Sequence, residues 1–323
     1  MIYIGDLMKI GIPKGMYIYE KKILFENFFN GLGIEVIYSK DTDKEILENG
    51  IKYSIDEACL ASKIYVGHIY DLVSRSKEEK IDYIFIPRIC TFNYRKSICV
   101  KFFAMYDISK NIFDANFITL NIDYNEGKNE FLAFSELGKR LGFKYINIMR
   151  AYIKAYNMQK KYDLKKIQEQ YNKLSNNIGK ENILIVAHPY IAYDKYIGKE
   201  ITKYLEKLGA NVIYASDNKS KIIKSKAYLD VTKSIYWKGS INLINGIEEY
   251  KNYIDGIIYL TVFPCGVDSL VNELLIRKKK DIPSLNLILD EQEIGAGVYT
   301  RLESFYDILT QTRKYKKVSV SNE

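Results

Sequence analysis

At 323 residues the chain exceeds the usual size of a single hydrophobic core, and 47% hydrophobic content supplies enough apolar matter for two domains. No apolar run approaches the ~20 residues of a membrane-spanning helix, and Asp6 stands where an export signal would carry basic residues, so a cytoplasmic protein with no membrane partner is expected. The net charge of +8 comes from lysines spread along the chain, with dense runs only at Arg277–Lys280 and 313–317; without clustered Arg on aromatic platforms or a known module, it reads as solvated surface and argues against nucleic acid.

In chain order, the first seven residues carry little pattern, and Met8–Pro13 reads as a strand ending in a turn. Apolar residues at Tyr17, Ile18, Ile23, Leu24, Phe28 and Leu32 recur at helical spacing until Gly31-Leu-Gly33 stops the helix before a strand at Ile34–Tyr38. Ser54-Ile-Asp-Glu57 fits the capping-box pattern and predicts a helix from about Ile55 to Ser74, with Cys59 near its start. A buried strand at Tyr83–Pro87 runs into a long irregular stretch carrying Cys90 and Cys99. A strand at Phe117–Asn121 and a helix at Glu130–Leu141 follow. Tyr145–Leu174 is amphipathic, Lys-rich and long, and Ser175–Gly179 breaks it.

The second half repeats the alternation. It predicts a strand at Ile183–Ala187, a helix at Tyr193–Leu208 stopped by Gly209, a strand at Asn211–Tyr214, and a polar stretch from Asp217 to Ser240. A helix at Ile241–Tyr250, a strand at Gly256–Val262, a helix at Ser269–Arg277, a strand at Leu285–Leu289 and a helix at Val298–Leu309 complete it, and the last dozen residues read as frayed. Strands alternating with helices mean parallel sheets covered on both faces. The expected fold is therefore α/β: two doubly wound parallel-sheet domains, 8–144 and 181–312, joined by a long helix over 145–180.

Ligands of open parallel sheets bind beyond the carboxyl ends of the strands. Cys90, His188, Cys265 and the pair Asp290-Glu291 all follow strand ends. Four cysteines in a large chain without an export signal do not form a disulfide framework, which leaves metal binding, catalysis or plain burial. Cys59 and Cys265 fall near helix starts, where a thiolate gains from the exposed N–H groups. Three thiols meeting at an iron–sulfur site is the leading reading; zinc, which favours close Cys or His pairs that this chain lacks, and buried structural thiols are its rivals. Of the two histidines, His68 lies roughly 13 Å along the helix from Cys59 and is expected to be hydrogen-bonded in the core, while His188, at a strand end, is the candidate for contacting a cluster sulfur or a ligand. Asp290, Glu291 and Arg301 are candidates for an ion-pair network beside the site.

The segments Gly11-Ile-Pro-Lys-Gly-Met16, Ser54–His68, Ile86-Pro-Arg88 with Ile98-Cys-Val-Lys-Phe102, His188-Pro-Tyr190, Phe263-Pro-Cys-Gly-Val-Asp-Ser-Leu270, and Leu289-Asp-Glu291 with Thr300–Phe305 occur in one order from Met8 to about Leu309. Together they resemble the uncharacterised proteins associated with CoA-substrate enzyme activases, a family related to the subunits of 2-hydroxyacyl-CoA dehydratases. The resemblance implies that Cys59, Cys99 and Cys265 hold a 4Fe-4S cluster at an interdomain cleft, with Cys90 a fourth ligand or a structural thiol. It also implies an electron from an ATP-dependent activator protein with its own iron–sulfur cluster, and an acyl-CoA substrate, to which the basic net charge is suited. The chain departs from the family pattern at Val100 and Val267, where proline is expected, and at Gln292, where histidine is expected.

The resemblance implies a lyase of the dehydratase type or a reductase, with His188, Glu291 and Arg301 as candidate catalytic residues. An accessory electron-transfer iron–sulfur protein that turns over no substrate, and a metal-free protein binding a small ligand, are the alternatives. The phosphate-binding pattern Gly-x4-Gly-Lys-Ser/Thr is absent, so ATP hydrolysis would fall to a separate partner. The oligomeric state, homo- or hetero-, is left open by the sequence.

Overall fold

The structure, a computed structural model, describes residues 7–93, 96–221, 225–292 and 295–320. These fall into two compact units, one formed by the chain up to Tyr162 with Tyr236–Lys238, the other by Asp163–Ile235 and the chain from Gly239 on.

The first unit contains β1 (Lys9–Ile12), α1 (Ile18–Gly31), β2 (Glu35–Tyr38), α2 (Lys44–Lys52), α3 (Leu60–Arg75), β3 (Tyr83–Phe85), β4 (Arg88–Asn93), β5 (Lys96–Ser97), α4 (Val100–Ile112), β6 (Phe117–Ile118), β7 (Asn121–Asp123), α5 (Glu130–Arg140) and the start of α6 (Tyr145–Ser175). Its main sheet is parallel throughout, in the order β2-β1-β3-β6. A second sheet, β5-β4-β7, adds one antiparallel pair. The core is aromatic: Phe25 and Phe29 of α1 set their rings edge-on to Phe85 at 5.0 and 5.1 Å, and Phe28 meets Phe134 of α5 at 4.6 Å. Such edge-to-face pairs add to the burial of the rings themselves.

The second unit contains the rest of α6, β8 (Asn182–Val186), α7 (Pro189–Ala192), α8 (Gly198–Leu208), β9 (Asn211–Tyr214), α9 (Lys238–Tyr250), β10 (Gly256–Val262), α10 (Gly266–Lys278), β11 (Ser284–Leu289) and α11 (Ala296–Val320). Its sheet is also parallel, ordered β11-β10-β8-β9. Every residue of β10 is buried, as a central strand covered on both faces requires. Both units thus have the doubly wound α/β build read from the sequence. The long helix is present, and the boundary between the units falls inside it, at Tyr162/Asp163.

Several elements differ from their sequence expectations. The capping box at Ser54 does not form: α3 starts only at Leu60, Ser54 Oγ is buried without a hydrogen-bond partner, and Ser54–Ala58 is a loop. An unpredicted helix, α2, precedes it, capped by Asp43, whose carboxylate accepts from the Ile46 N–H at 2.9 Å. The irregular stretch after β3 holds two strands and α4. The helix predicted from Tyr193 starts only at Gly198: a short helix, α7, ends at Ala192, and in the turn between the two Asp194 accepts from the N–H groups of Tyr196 and Ile197. α11 continues to Val320 because no Gly or Pro interrupts residues 310–320. Of the basic runs, Arg277 is exposed and pairs with Glu273 at 2.6 Å, while the 313–317 side chains lie outside those described.

Candidate functional site

In the first unit, two of the three motif cysteines head neighbouring helices. Cys59 is the N-cap of α3 and Cys99 the N-cap of α4. Cys59 is buried, with its sulfur 3.2 Å from Ser62 Oγ one turn on. Burial leaves the Cys99 thiol above its ordinary value: the backbone N–H of Lys101 pulls it down, the nearby Cys59 sulfur pushes it up, and the Lys101 charge and Phe102 N–H pull it down without undoing the rise. The two thiols are therefore close enough to feel one another. The loop entering Cys59 is tied down by two lysines, each four residues or fewer beyond a thiol: Lys63 Nζ donates to the Asp56 carbonyl and Lys101 Nζ to the Glu57 carbonyl, both at 3.0 Å. Lys101 thus links the start of α4 to the loop that presents Cys59.

Cys90 sits apart from these helix starts, on β4. Burial pushes its thiol up, and the Asp123 carboxylate pushes it further. Its carbonyl accepts from the Ile98 N–H at 3.1 Å, which anchors the approach to Cys99. Tyr17, the N-cap of α1, lies by these loops: its ring meets Phe102 edge-on at 5.2 Å, and burial, then Glu20, Cys99 and Cys90, hold its hydroxyl well above the usual range. Arg88 holds α4 against β4 through Asp107 at 2.8 Å and the face of Phe103 at 4.7 Å. His68 is a core residue: fully buried, its ring nitrogens lie 3.0 Å from Ser39 Oγ and Thr42 Oγ1, and burial pushes its pKa down to about 3.

The second unit carries the third cysteine at the point where its strand order reverses. From β8 the chain goes to β9 on one side; from its neighbour β10 it goes to β11 on the other. A crevice opens at the carboxyl ends of two such strands. His188 and Cys265 follow those two ends as the N-caps of α7 and α10. His188 Nε2 lies 2.9 Å from Asp268 Oδ1, a residue in the first turn of α10, and both side chains are buried. The Tyr190 ring stacks on the imidazole at 5.1 Å, tilted by 10°. Gly239 closes in from α9, where a Cβ would come within 2.5 Å of His188 Cε1.

Arg301 donates to the Asn286 carbonyl at 2.6 Å, and Asp290 accepts from the Gln292 N–H at 2.9 Å. Among the described residues no group of three or more His, Cys, Asp or Glu side chains forms a metal cage; two motif thiols belong to one unit and the third to the other. The chemistry of the donors nevertheless fits an iron–sulfur group, whose irons take cysteine thiolates, because each of the three sulfurs heads a helix whose first N–H groups favour a nearby anion. Sequence reasoning did not give roles to Tyr17, Lys101, Asp268 or Gly239. Lys101 and Asp268 stand two and three residues after motif cysteines, which is the signal they offered; Gly239 offered none.

Residues 9–217 match the family model of the CoA enzyme activase uncharacterised domain (DUF2229). The chain belongs to this family. The matched span includes Cys59, Cys90, Cys99 and His188 and ends before Cys265. No curated protein matches the chain. Among solved structures it is similar to ZnuA, at 11% identity and a TM-score of 0.29 with 95% of this chain and 99% of the other covered. It is similar also to the solute-binding protein FpvC of Pseudomonas aeruginosa in complex with Mn2+, at 13%, 0.23, 97% and 100%, and to a periplasmic metal binding protein of Candidatus Liberibacter asiaticus, at 10%, 0.27, 93% and 99%. No described helix of this family member is long and apolar enough to cross a membrane.

Proposed function

We propose that this member of the CoA enzyme activase domain family is an iron–sulfur protein that holds a 4Fe-4S cluster on Cys59, Cys99 and Cys265. It would accept an electron from an ATP-dependent activator and act on an acyl-CoA-type thioester, as a dehydratase-like lyase or a reductase. One observation carries the reading: the three cysteines of the motif segments are each the N-cap of a helix, a position that suits a sulfur anion. When bound, such a cluster supplies one-electron storage and an iron Lewis acid for a substrate oxygen. The chain's own residues supply the rest. Lys101 and Lys63 fix the loop that presents Cys59, the burial of Cys59 keeps water from its sulfur, and the His188–Asp268 pair sets a rigid polar group beside the Cys265 helix. The family supports the activator as partner, and ATP hydrolysis would be that partner's part, since Gly-x4-Gly-Lys-Ser/Thr does not occur within these 323 residues.

The test is anaerobic purification with iron and sulfide analysis. The expected result is a brown protein with about four of each per chain, lost in Cys59→Ala, Cys99→Ala and Cys265→Ala and retained in Cys90→Ala. Colourless protein under strict exclusion of oxygen would overturn the reading. Adding activator, ATP and a panel of 2-hydroxyacyl-CoA esters should then perturb the cluster's spectrum; indifference to every ester would reduce the role to electron transfer.

A further inference from the structure

We infer that the outer face of α6 within the first unit, over 145–161, is a docking surface for another protein, one that presents an acidic, amphipathic helix. Nothing in this surface depends on a cluster, so it stands apart from the proposed function. The inner side of the helix is spent on the core through Ile148, Ala151 and Ala155. Turning by about 100° per residue, the helix then carries Ile146 and Ile153, two turns apart, along its outermost line. Both are exposed, as are Tyr145 and Tyr156 beside them and Leu132 of α5. The rings are joined rather than scattered: Phe131 of α5 meets Tyr145 at 6.4 Å and Tyr152 at 5.2 Å, and Tyr152 stacks on Tyr156 at 6.0 Å. A connected apolar strip of this kind marks an interaction surface.

Charge says what covers it. Between Glu136 and Asp163 the chain has no acidic residue and seven basic ones, against a net charge of +8 for all 323 residues. Arg150, Lys154 and Lys161 form a row beside the isoleucine line at spacings of four and seven. Among the described residues, the side chains of these three and of Lys160 have no ion-pair partner. Like charges four residues apart on a helix repel, and a row of carboxylates on a partner removes that repulsion. A second copy of the chain is disfavoured as occupant, because a two-fold contact would set one basic row against the other. An anionic membrane needs an apolar face that sinks into the lipid, and that face of α6 is already packed in the core. A nucleic acid would neutralise the row but leave the isoleucine line uncovered. An amphipathic helix with apolar anchors on one line and carboxylates on the next matches both.

The test uses the full chain and a synthetic helical peptide with leucine on one face and glutamate along its flank, followed by fluorescence anisotropy, with a scrambled peptide of the same composition as control. Binding that the scrambled peptide does not share is expected, weakened about 10-fold in Arg150→Glu/Lys154→Glu and about 3-fold or more in Ile153→Ser. All three positions are exposed, so these variants should keep the wild-type urea midpoint. Arg277→Glu/Lys280→Glu in the second unit makes the same change in net charge and should leave binding unaltered. Absence of binding overturns the inference. Equal weakening by the two charge reversals overturns it as well, by showing that net charge alone attracts the peptide. It also falls if vesicles of phosphatidylserine and phosphatidylcholine, or a single-stranded oligonucleotide, bind more tightly than the peptide and without loss in Ile153→Ser. Dimerisation of the chain that Ile153→Ser abolishes would assign the face to a second copy and overturn it too.

Discussion

His68 makes the chain acid-sensitive in a way that can be isolated. Buried with its nitrogens 3.0 Å from Ser39 and Thr42, it stays neutral in the folded protein down to about pH 3, whereas in the unfolded chain it takes up a proton near its ordinary value of 6.5. Burial is the main cause; the Asp71 and Asp41 charges oppose it, and Lys14 reinforces it. Below pH 6.5 the unfolded state binds more protons than the folded one, so stability falls as the pH drops through the window from 6.5 to about 3. At roughly 1.4 kcal/mol per pH unit, about 2 kcal/mol is lost by pH 5 and about 5 kcal/mol across the full window. The assay is urea unfolding of wild type and His68→Gln at pH 7.5 and pH 5. Glutamine retains groups that can bond to Ser39 and Thr42 but does not titrate, and every other carboxylate and histidine is common to both proteins. The wild type should therefore lose about 2 kcal/mol more than the variant between the two pH values. Equal losses would refute the argument and show that His68 is protonated, or hydrated, in the folded protein.

Gly67→Ala should destabilise the first unit by about 3 kcal/mol or more, because its Cβ would fall 1.9 Å from the Ile46 carbonyl oxygen where α2 and α3 cross, and the same crowding meets Gly50 at the Lys63 carbonyl. Gly297→Ala, which meets nothing within 4 Å, is the control and should change stability by no more than about 1 kcal/mol; similar urea midpoints for the two variants would refute the close-approach argument. Cys265→Ser should raise the stability of the metal-free chain by about 0.5–1 kcal/mol, since serine is a better N-cap than cysteine, while abolishing iron binding. A destabilised Cys265→Ser would mean that the thiol is held by packing rather than kept for ligation.

How much could be read from the sequence depended on which rule a segment obeyed. β8 and β10 were legible because continuous Ile, Leu and Val runs can only be strands covered on both faces, and α6 because its pattern runs unbroken for 31 residues. α2 was hidden because Asn49-Gly50 reads as a break, whereas Gly50 is there to admit the α3 backbone. α4 was hidden because apolar side chains surround it: Phe102 and Met105 are buried, while Val100, Ile108 and Ile112 face solvent. The thiol positions were legible as motif residues, but the bonds that organise them were not. Lys101 to Glu57 and His188 to Asp268 span 44 and 80 residues, and no local pattern marks them.

The helix starts that misled the reading share a cause. The capping-box reading starts α3 at Ser54, the apolar pattern starts α10 at Ser269, and neither gives a start for α4; in the structure all three helices begin after a cysteine. Elsewhere the chain obeys the capping rule, with Asp43 accepting from Ile46 and Asn129 from Leu132 at 2.9 and 3.0 Å. It can make good caps, and it forgoes them at three motif cysteines, at Tyr17 beside Cys99, and at His188 before α7. The cost is about 1 kcal/mol for each cap forgone. Local rules tend to be broken where a site needs a residue that the fold alone would not choose. Ile197 also caps without a side-chain bond, but Asp194 accepts from the Tyr196 and Ile197 N–H groups, so the opening of α8 is satisfied from nearby. The cysteine-headed helices instead have a sulfur at the N-cap itself, facing their first N–H groups.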